Sequence, residues 1–79
     1  MLTGKDKYDK SLKIGSKIKA LVDKVEKQNI IGEVICFKNK TYTVCDIGDD
    51  YIHVDDAYIV NEKTNNGVLA LSKDEIEII

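Results

Sequence analysis

The stretch IGSKIKALVDKVEKQN, residues 14–29, decides the fold. Ile14, Ile18, Leu21, Val22 and Val25 recur at helical spacing, and Ser16 suits the capping position of a helix. The same residues also alternate. Ile18, Ala20 and Val22 fall on one side of an extended chain, and Gly15-Ser16 serves as the turn that enters it. Lys17 and Lys19 would stand at the positive end of a helix dipole, where cations are disfavoured. The strand reading therefore leads, and the chain is expected to be mainly β. The alternative is an α+β arrangement with a helix over residues 16–28 packed on an antiparallel sheet.

Downstream of this stretch the pattern is β throughout. Residues 30–37 (IIGEVICF) are rich in β-branched and aromatic side chains, and Asn39-Lys40 suits a two-residue turn because Asn tolerates positive φ. Residues 41–47 (TYTVCDI) then return antiparallel. That register sets Phe37 opposite Tyr42, Ile35 opposite Val44 and Val34 opposite Cys45. It sets Cys36 opposite Thr43, so no disulfide between Cys36 and Cys45 is expected. Gly48-Asp49-Asp50 reads as the next turn. In the strand that follows, Ile52 and Val54 point inward and Tyr51, His53 and Asp55 outward. Residues 58–60 and 67–71 read as a last hairpin around Asn65-Asn66-Gly67. Ser72 and Glu75 have the spacing of a capping box, which predicts one helical turn before the terminal Glu77-Ile78-Ile79.

Taken in order, KIGSKIKAL (13–21), IIGEVICF (30–37), KTYTVCDI (40–47) and LSKDEIEII (71–79) resemble small Src-homology-three-like barrels. The chain also looks like small proteins of bacteriophages and mobile elements of Gram-positive bacteria. The likeness spans residues 12–79. It implies a five-stranded antiparallel barrel with one short helical turn near the C-terminus, and an accessory or inhibitor role. The paired Trp and aromatic-rich loops of the peptide-binding members are missing, so recognition of Pro-rich ligands is not implied.

Seventy-nine residues make one domain, read as a flexible lysine-rich arm at 1–13 and a single small β domain at 14–79. Twelve lysines and no arginine remove the usual bidentate reader of phosphate and guanine. The net charge of −2 is unevenly spread: residues 1–28 balance to +4 and residues 29–79 to −6. The basic segment reads either as a solvated arm or as a nucleic-acid contact through Lys5, Lys7, Lys10, Lys13, Lys17 and Lys19. No apolar run approaches the ~20 residues of a membrane span. The start MLTGKDKYDKSLKIG lacks the apolar centre of a signal peptide, so a cytoplasmic protein with reduced thiols is expected.

Known chemistries find little purchase. DIGDDYIHVDD (46–56) carries five aspartates, but not in the order of a calcium loop, and His53 has no second imidazole to share a zinc ion. Cys36 and Cys45 lie inside strand runs and not at an exposed elbow, and the acids cluster in turns where water solvates them alike. The expectation is a protein without enzymatic activity, cofactor or metal. A binding module remains, acting by protein–protein contact through an acidic face of Tyr51, His53, Asp55, Asp49 and Asp50. Tyr42 and Tyr58 read either as further anchors or as half-buried staves. A short domain without staples also favours a homo-oligomer, most simply a dimer, built on the terminal strand or the outer sheet face.

Overall fold

The computed structural model describes residues 11–48 and 51–79. Its seven strands are β1 (Lys17–Ala20), β2 (Lys24–Gln28), β3 (Gly32–Cys36), β4 (Thr41–Ile47), β5 (Ile52–Ile59), β6 (Thr64–Leu71) and β7 (Ile76–Ile78), with a 3₁₀ turn at Lys73–Glu75. The protein is mainly β, and every strand pairing is antiparallel. The sheet is open. Its hydrogen-bonded path runs β2-β3-β5-β4-β1-β7, and β6 pairs with β5 off that path.

Alternation along each strand builds the core. Ile18 and Ala20 of β1, Val34 and Cys36 of β3, Tyr42 and Val44 of β4, and Leu69 and Leu71 of β6 all point to one interior. Burying each larger side chain contributes about 1.5–3 kcal/mol. Ile52 and Val54 point inward as their spacing requires, and Asp55 is exposed. Leu12, assigned to the arm on sequence grounds, is buried with this core. Residues 1–10 lie outside the described residues.

The helix over 16–28 does not form; two strands and a bend occupy that stretch. Its apolar residues do not share one buried face, since Val22 and Val25 are exposed at the surface. The other face of β2 carries Lys24, Glu26 and Gln28. Lys24 Nζ lies 3.2 Å from Glu75 Oε1, and Gln28 Nε2 donates to the Val68 carbonyl at 2.7 Å. An extended β2 can thus reach over the 3₁₀ turn and β6.

The expected five-stranded closed barrel is corrected to a seven-stranded open sheet. β2 is the strand that was not anticipated as separate, and the stretches 51–54 and 58–60, read as two strands, join in the single strand β5; the break at the 3₁₀ turn before β7 falls where the sequence placed it. The expected β3–β4 hairpin is also replaced. Ile35 faces Val25 and Tyr58 in place of Val44, and Val34 faces Glu26 and Ile59 in place of Cys45. Tyr42 and Thr43 pair with Ile18 and Lys17 of β1. The turn itself exists: Lys40 N–H donates to the Phe37 carbonyl at 3.1 Å, and Asn39 takes a φ of 68°. Beyond it the two strands diverge, because β5 offers each a different half of its edge. Val54, His53 and Ile52 pair with β4, whereas Tyr58 and Ile59 pair with β3.

Asn65-Asn66-Gly67, the expected last turn, lies within β6. The chain reverses earlier, where Lys63 takes a φ of 55° and donates its N–H to the Ile59 carbonyl at 2.8 Å. Gly67 serves packing here. A Cβ at this position would stand 2.8 Å from both Ile59 Cγ1 and Val34 Cγ1. The capping-box expectation at Ser72 is met: Ser72 N–H donates to Glu75 Oε1 at 2.8 Å.

Candidate partner-binding face

The outward face of β4, β5 and β6 carries the acidic stretch. Asp46 on β4 and Ala70 on β6 flank His53 on β5. His53 Nδ1 lies 4.0 Å from Asp46 Oδ2. That nitrogen is sealed from solvent and has no hydrogen-bond partner among the described residues, although the ring as a whole is partly exposed. The Asp46 side chain is 70% exposed, and its Oδ1 accepts the Ile47 N–H at 3.0 Å. Asp46, read from the sequence only as part of the 41–47 strand, thus takes part in the face.

Tyr51 stands half exposed immediately before β5, and Asp55 follows His53 outward along that strand. Gly48 N–H donates to the Tyr51 carbonyl at 2.8 Å, drawing β4 and β5 together where Ile47 faces Ile52. Asp49 and Asp50, the other two residues expected here, lie outside the described residues. Cys45 reports the local field. Burial raises its thiol pKa first, and the neighbouring Asp55 and Asp46 carboxylates raise it further. Cys36 is enclosed more deeply. Burial, followed by the Asp56 and Glu75 carboxylates, pushes its thiol up to about 12. Neither cysteine forms a disulfide. Among the described residues no three His, Cys, Asp or Glu side chains converge as a metal site requires. Among them, too, no helix is long and apolar enough to cross a membrane.

The lysines of the alternative reading divide. Lys5, Lys7 and Lys10 lie outside the described residues, and Lys13 is exposed. Lys17 Nζ donates to Thr43 Oγ1 at 2.5 Å, and Lys19 Nζ lies 3.5 Å from Glu77 Oε1. Both ammonium groups therefore have contacts within the fold.

Tyr42 is a buried stave: its hydroxyl accepts the Phe37 N–H at 2.7 Å. Burial raises its pKa above the ordinary tyrosine value, against the lowering effect of that bond. Tyr58 is half-buried, with its ring centroid 6.2 Å from that of Phe37. Beside these rings the fork between β3 and β4 opens a cleft of about 240 Å³, lined by Phe37, Lys40, Thr41, Tyr42, Asp56 and Asn65. A reading based on a β3–β4 hairpin left no room for it. Comparison with protein-family models, with curated proteins and with solved structures found no match.

Proposed function

We propose that this chain is a small non-catalytic module that acts by protein–protein contact, presenting the acidic, tyrosine-bearing face of β4 and β5 to a basic partner surface. The observation that carries the reading is the placement of Asp46 opposite His53 across β4 and β5, 4.0 Å apart, with Asp55 exposed further along β5 and Tyr51 half exposed before it. A tyrosine ring supplies wide contact at small entropic cost, and carboxylates around it steer and select a cationic partner.

The course of the chain from β6 through the 3₁₀ turn to β7 supports a finer reading of the fold. β6 pairs with β5, and β7 pairs with β1 at the far end of the path. One terminal run interrupted by a 3₁₀ turn thus joins the sheet at two separate strands, as in a Src-homology-three-like barrel left open. With that likeness comes the reading of a cytoplasmic accessory or inhibitor protein of a bacteriophage or mobile element.

The test is affinity capture from cell extract on immobilised wild type and on Tyr51→Ala/Asp55→Lys, with quantified recovery. A partner held by the wild type and lost by the variant, more weakly bound as salt rises, is the expected result. Equal recovery of every protein removes this face from the function. Retardation of DNA or RNA at low salt, falling steeply as salt is added, moves the function to the lysine-rich segment instead.

A further inference from the structure

The cleft at the fork between β3 and β4 brings together groups from four strands and one turn. Phe37 follows β3, Lys40 lies in the turn, Thr41 and Tyr42 open β4, and Asp56 and Asn65 come from β5 and β6. The lining holds one ammonium and one carboxylate, so its formal charges cancel. Lys17, Lys19 and Lys24 each have a side-chain contact within the fold, but the Lys40 ammonium has none among the described residues. Asp56 keeps room to accept: Oδ1 takes the Thr43 N–H at 2.8 Å, while Oδ2 meets the Thr43 hydroxyl only at 3.4 Å. Tyr42 is the decisive residue. It is 5% exposed, and its hydroxyl accepts the Phe37 N–H at 2.7 Å. A phenol also donates one hydrogen, and no acceptor among the described residues takes it. A buried donor left unpaired is costly, so this hydrogen calls for an acceptor that enters the cleft.

We infer that this cleft binds a free α-amino acid with an apolar, ring-bearing side chain. Lys40 and the Tyr42 O–H take its carboxylate, Asp56 takes its ammonium, and Phe37 receives its ring. The charges select a zwitterion. A plain anion would meet Asp56 and a plain cation Lys40, and like charges brought together select against both. Charge-assisted hydrogen bonds at the two ends fix the orientation of the ligand. Size points the same way. The cleft of about 240 Å³ lies below the ~300–1,000 Å³ of pockets for drug-sized ligands, which favours one amino acid over a nucleotide. Phe37 leaves 39% of its surface open, its ring held 6.2 Å from that of Tyr58. A ligand ring on Phe37 gains the offset or edge-on contact that aromatic pairs prefer. The inference does not rest on the acidic face, since Asp46, Tyr51 and His53 do not line this cleft.

Backbone amide NMR of the full chain, titrated with L-phenylalanine, tests the inference, with circular dichroism confirming that each variant folds. Saturable shifts are expected at Thr41, Asp56 and Asn65, and most of all at the Phe37 amide, which bonds the Tyr42 hydroxyl. 3-Phenylpropionate lacks the ammonium and phenethylamine lacks the carboxylate, and each should bind at least tenfold more weakly. Lys40→Met, a change at an exposed position, should weaken L-phenylalanine severalfold and leave phenethylamine no weaker. Asp56→Asn should weaken L-phenylalanine likewise and leave 3-phenylpropionate no weaker. Three results would overturn the inference. One is the absence of any saturable shift up to the solubility of the amino acid. Another is equal binding of the three compounds, or binding of L-phenylalanine that ignores both substitutions. The third is saturation of the same amides by adenosine monophosphate and not by L-phenylalanine, which makes the cleft a nucleotide site.

Discussion

Thr43 donates its backbone N–H to Asp56 Oδ1 at 2.8 Å, across the fork where β5 leaves β4 and joins β3. A strand that loses its neighbour strands its backbone donors, and an unpaired buried donor costs about 1–3 kcal/mol. The carboxylate takes the place of the missing strand. Asp56→Ala should therefore destabilise the fold by roughly that amount. Asp56→Asn, which keeps an acceptor oxygen, should cost less. Urea denaturation of the three proteins provides the check, and equal midpoints for wild type and Asp56→Ala would show that the fork needs no cap.

Gly67 lies inside β6, where an added methyl meets Ile59, Val34 and the Ala57 carbonyl at 2.8, 2.8 and 3.0 Å. Overpacking of this kind typically costs 1–3 kcal/mol, so Gly67→Ala should lower stability by about that much. Asn65→Ala, two residues earlier and exposed, should change it by no more than about 0.5 kcal/mol. Were Gly67 a turn glycine in open space, the two substitutions would differ far less; thermal melts distinguish the cases.

Glu75 links the 3₁₀ turn to β2. Partial burial tends to raise its carboxyl pKa, but the Ser72 N–H and the Lys24 ammonium outweigh it and hold the group below its ordinary value of 4.5. A carboxyl whose pKa is depressed by folding contributes stability that is complete above its unfolded pKa and disappears as pH falls through the folded one. The wild type should thus lose stability on acidification below about pH 5. Glu75→Gln should be less stable at pH 7 and should fall less steeply between pH 5 and 3. Denaturant midpoints across that range decide it, and parallel pH profiles would exclude the contribution.

The two thiols should differ in rate. Thiolate is the reactive form, and Cys36, with its pKa pushed up to about 12, should resist modification at pH 8 until the protein unfolds. Cys45 should react first, though more slowly than a free thiol, because burial and then Asp55 and Asp46 oppose its ionisation. Asp55→Asn should accelerate it severalfold. Stopped-flow titration with a thiol reagent measures both rates. An unchanged Cys45 rate in the variant would mean that Asp55 does not shape the field of this face.

Several features were legible because their causes are local. Ile52 and Val54 inward with Asp55 outward follow from the two-residue period of a strand, and Ser72 with Glu75 from the reach of a glutamate back over one turn. The outward placement of Tyr51 and His53 was legible for the same reason. Asp46 escaped notice as a member of their face because its position opposite His53 depends on the irregular register between Val44 and Asp46. Phe37 and Tyr58 were each visible as aromatic residues, yet their contact exists only because β3 pairs with β5.

By itself the sequence marked residues 30–37, 41–47, 51–54 and 58–60 as extended and turned Ile52 and Val54 inward; it left residues 14–29 open between helix and strand, and it did not say that Val34 and Cys36, in place of Ile35 and Phe37, line the core. Backbone sterics and alternating hydrophobicity act over a few residues and leave their mark in the order of those residues. Tertiary structure alone decided which edges meet. One strand cannot specify its neighbour when several apolar edges of similar length compete, so the choice fell to long-range complementarity. Asp56 caps the Thr43 N–H at the fork, Lys24 and Gln28 draw β2 over the 3₁₀ turn and β6, and the space at Gly67 admits no side chain between Ile59 and Val34. Gly67 therefore lies in a strand although its neighbours spell a turn, because close packing of the core outweighs a local conformational preference.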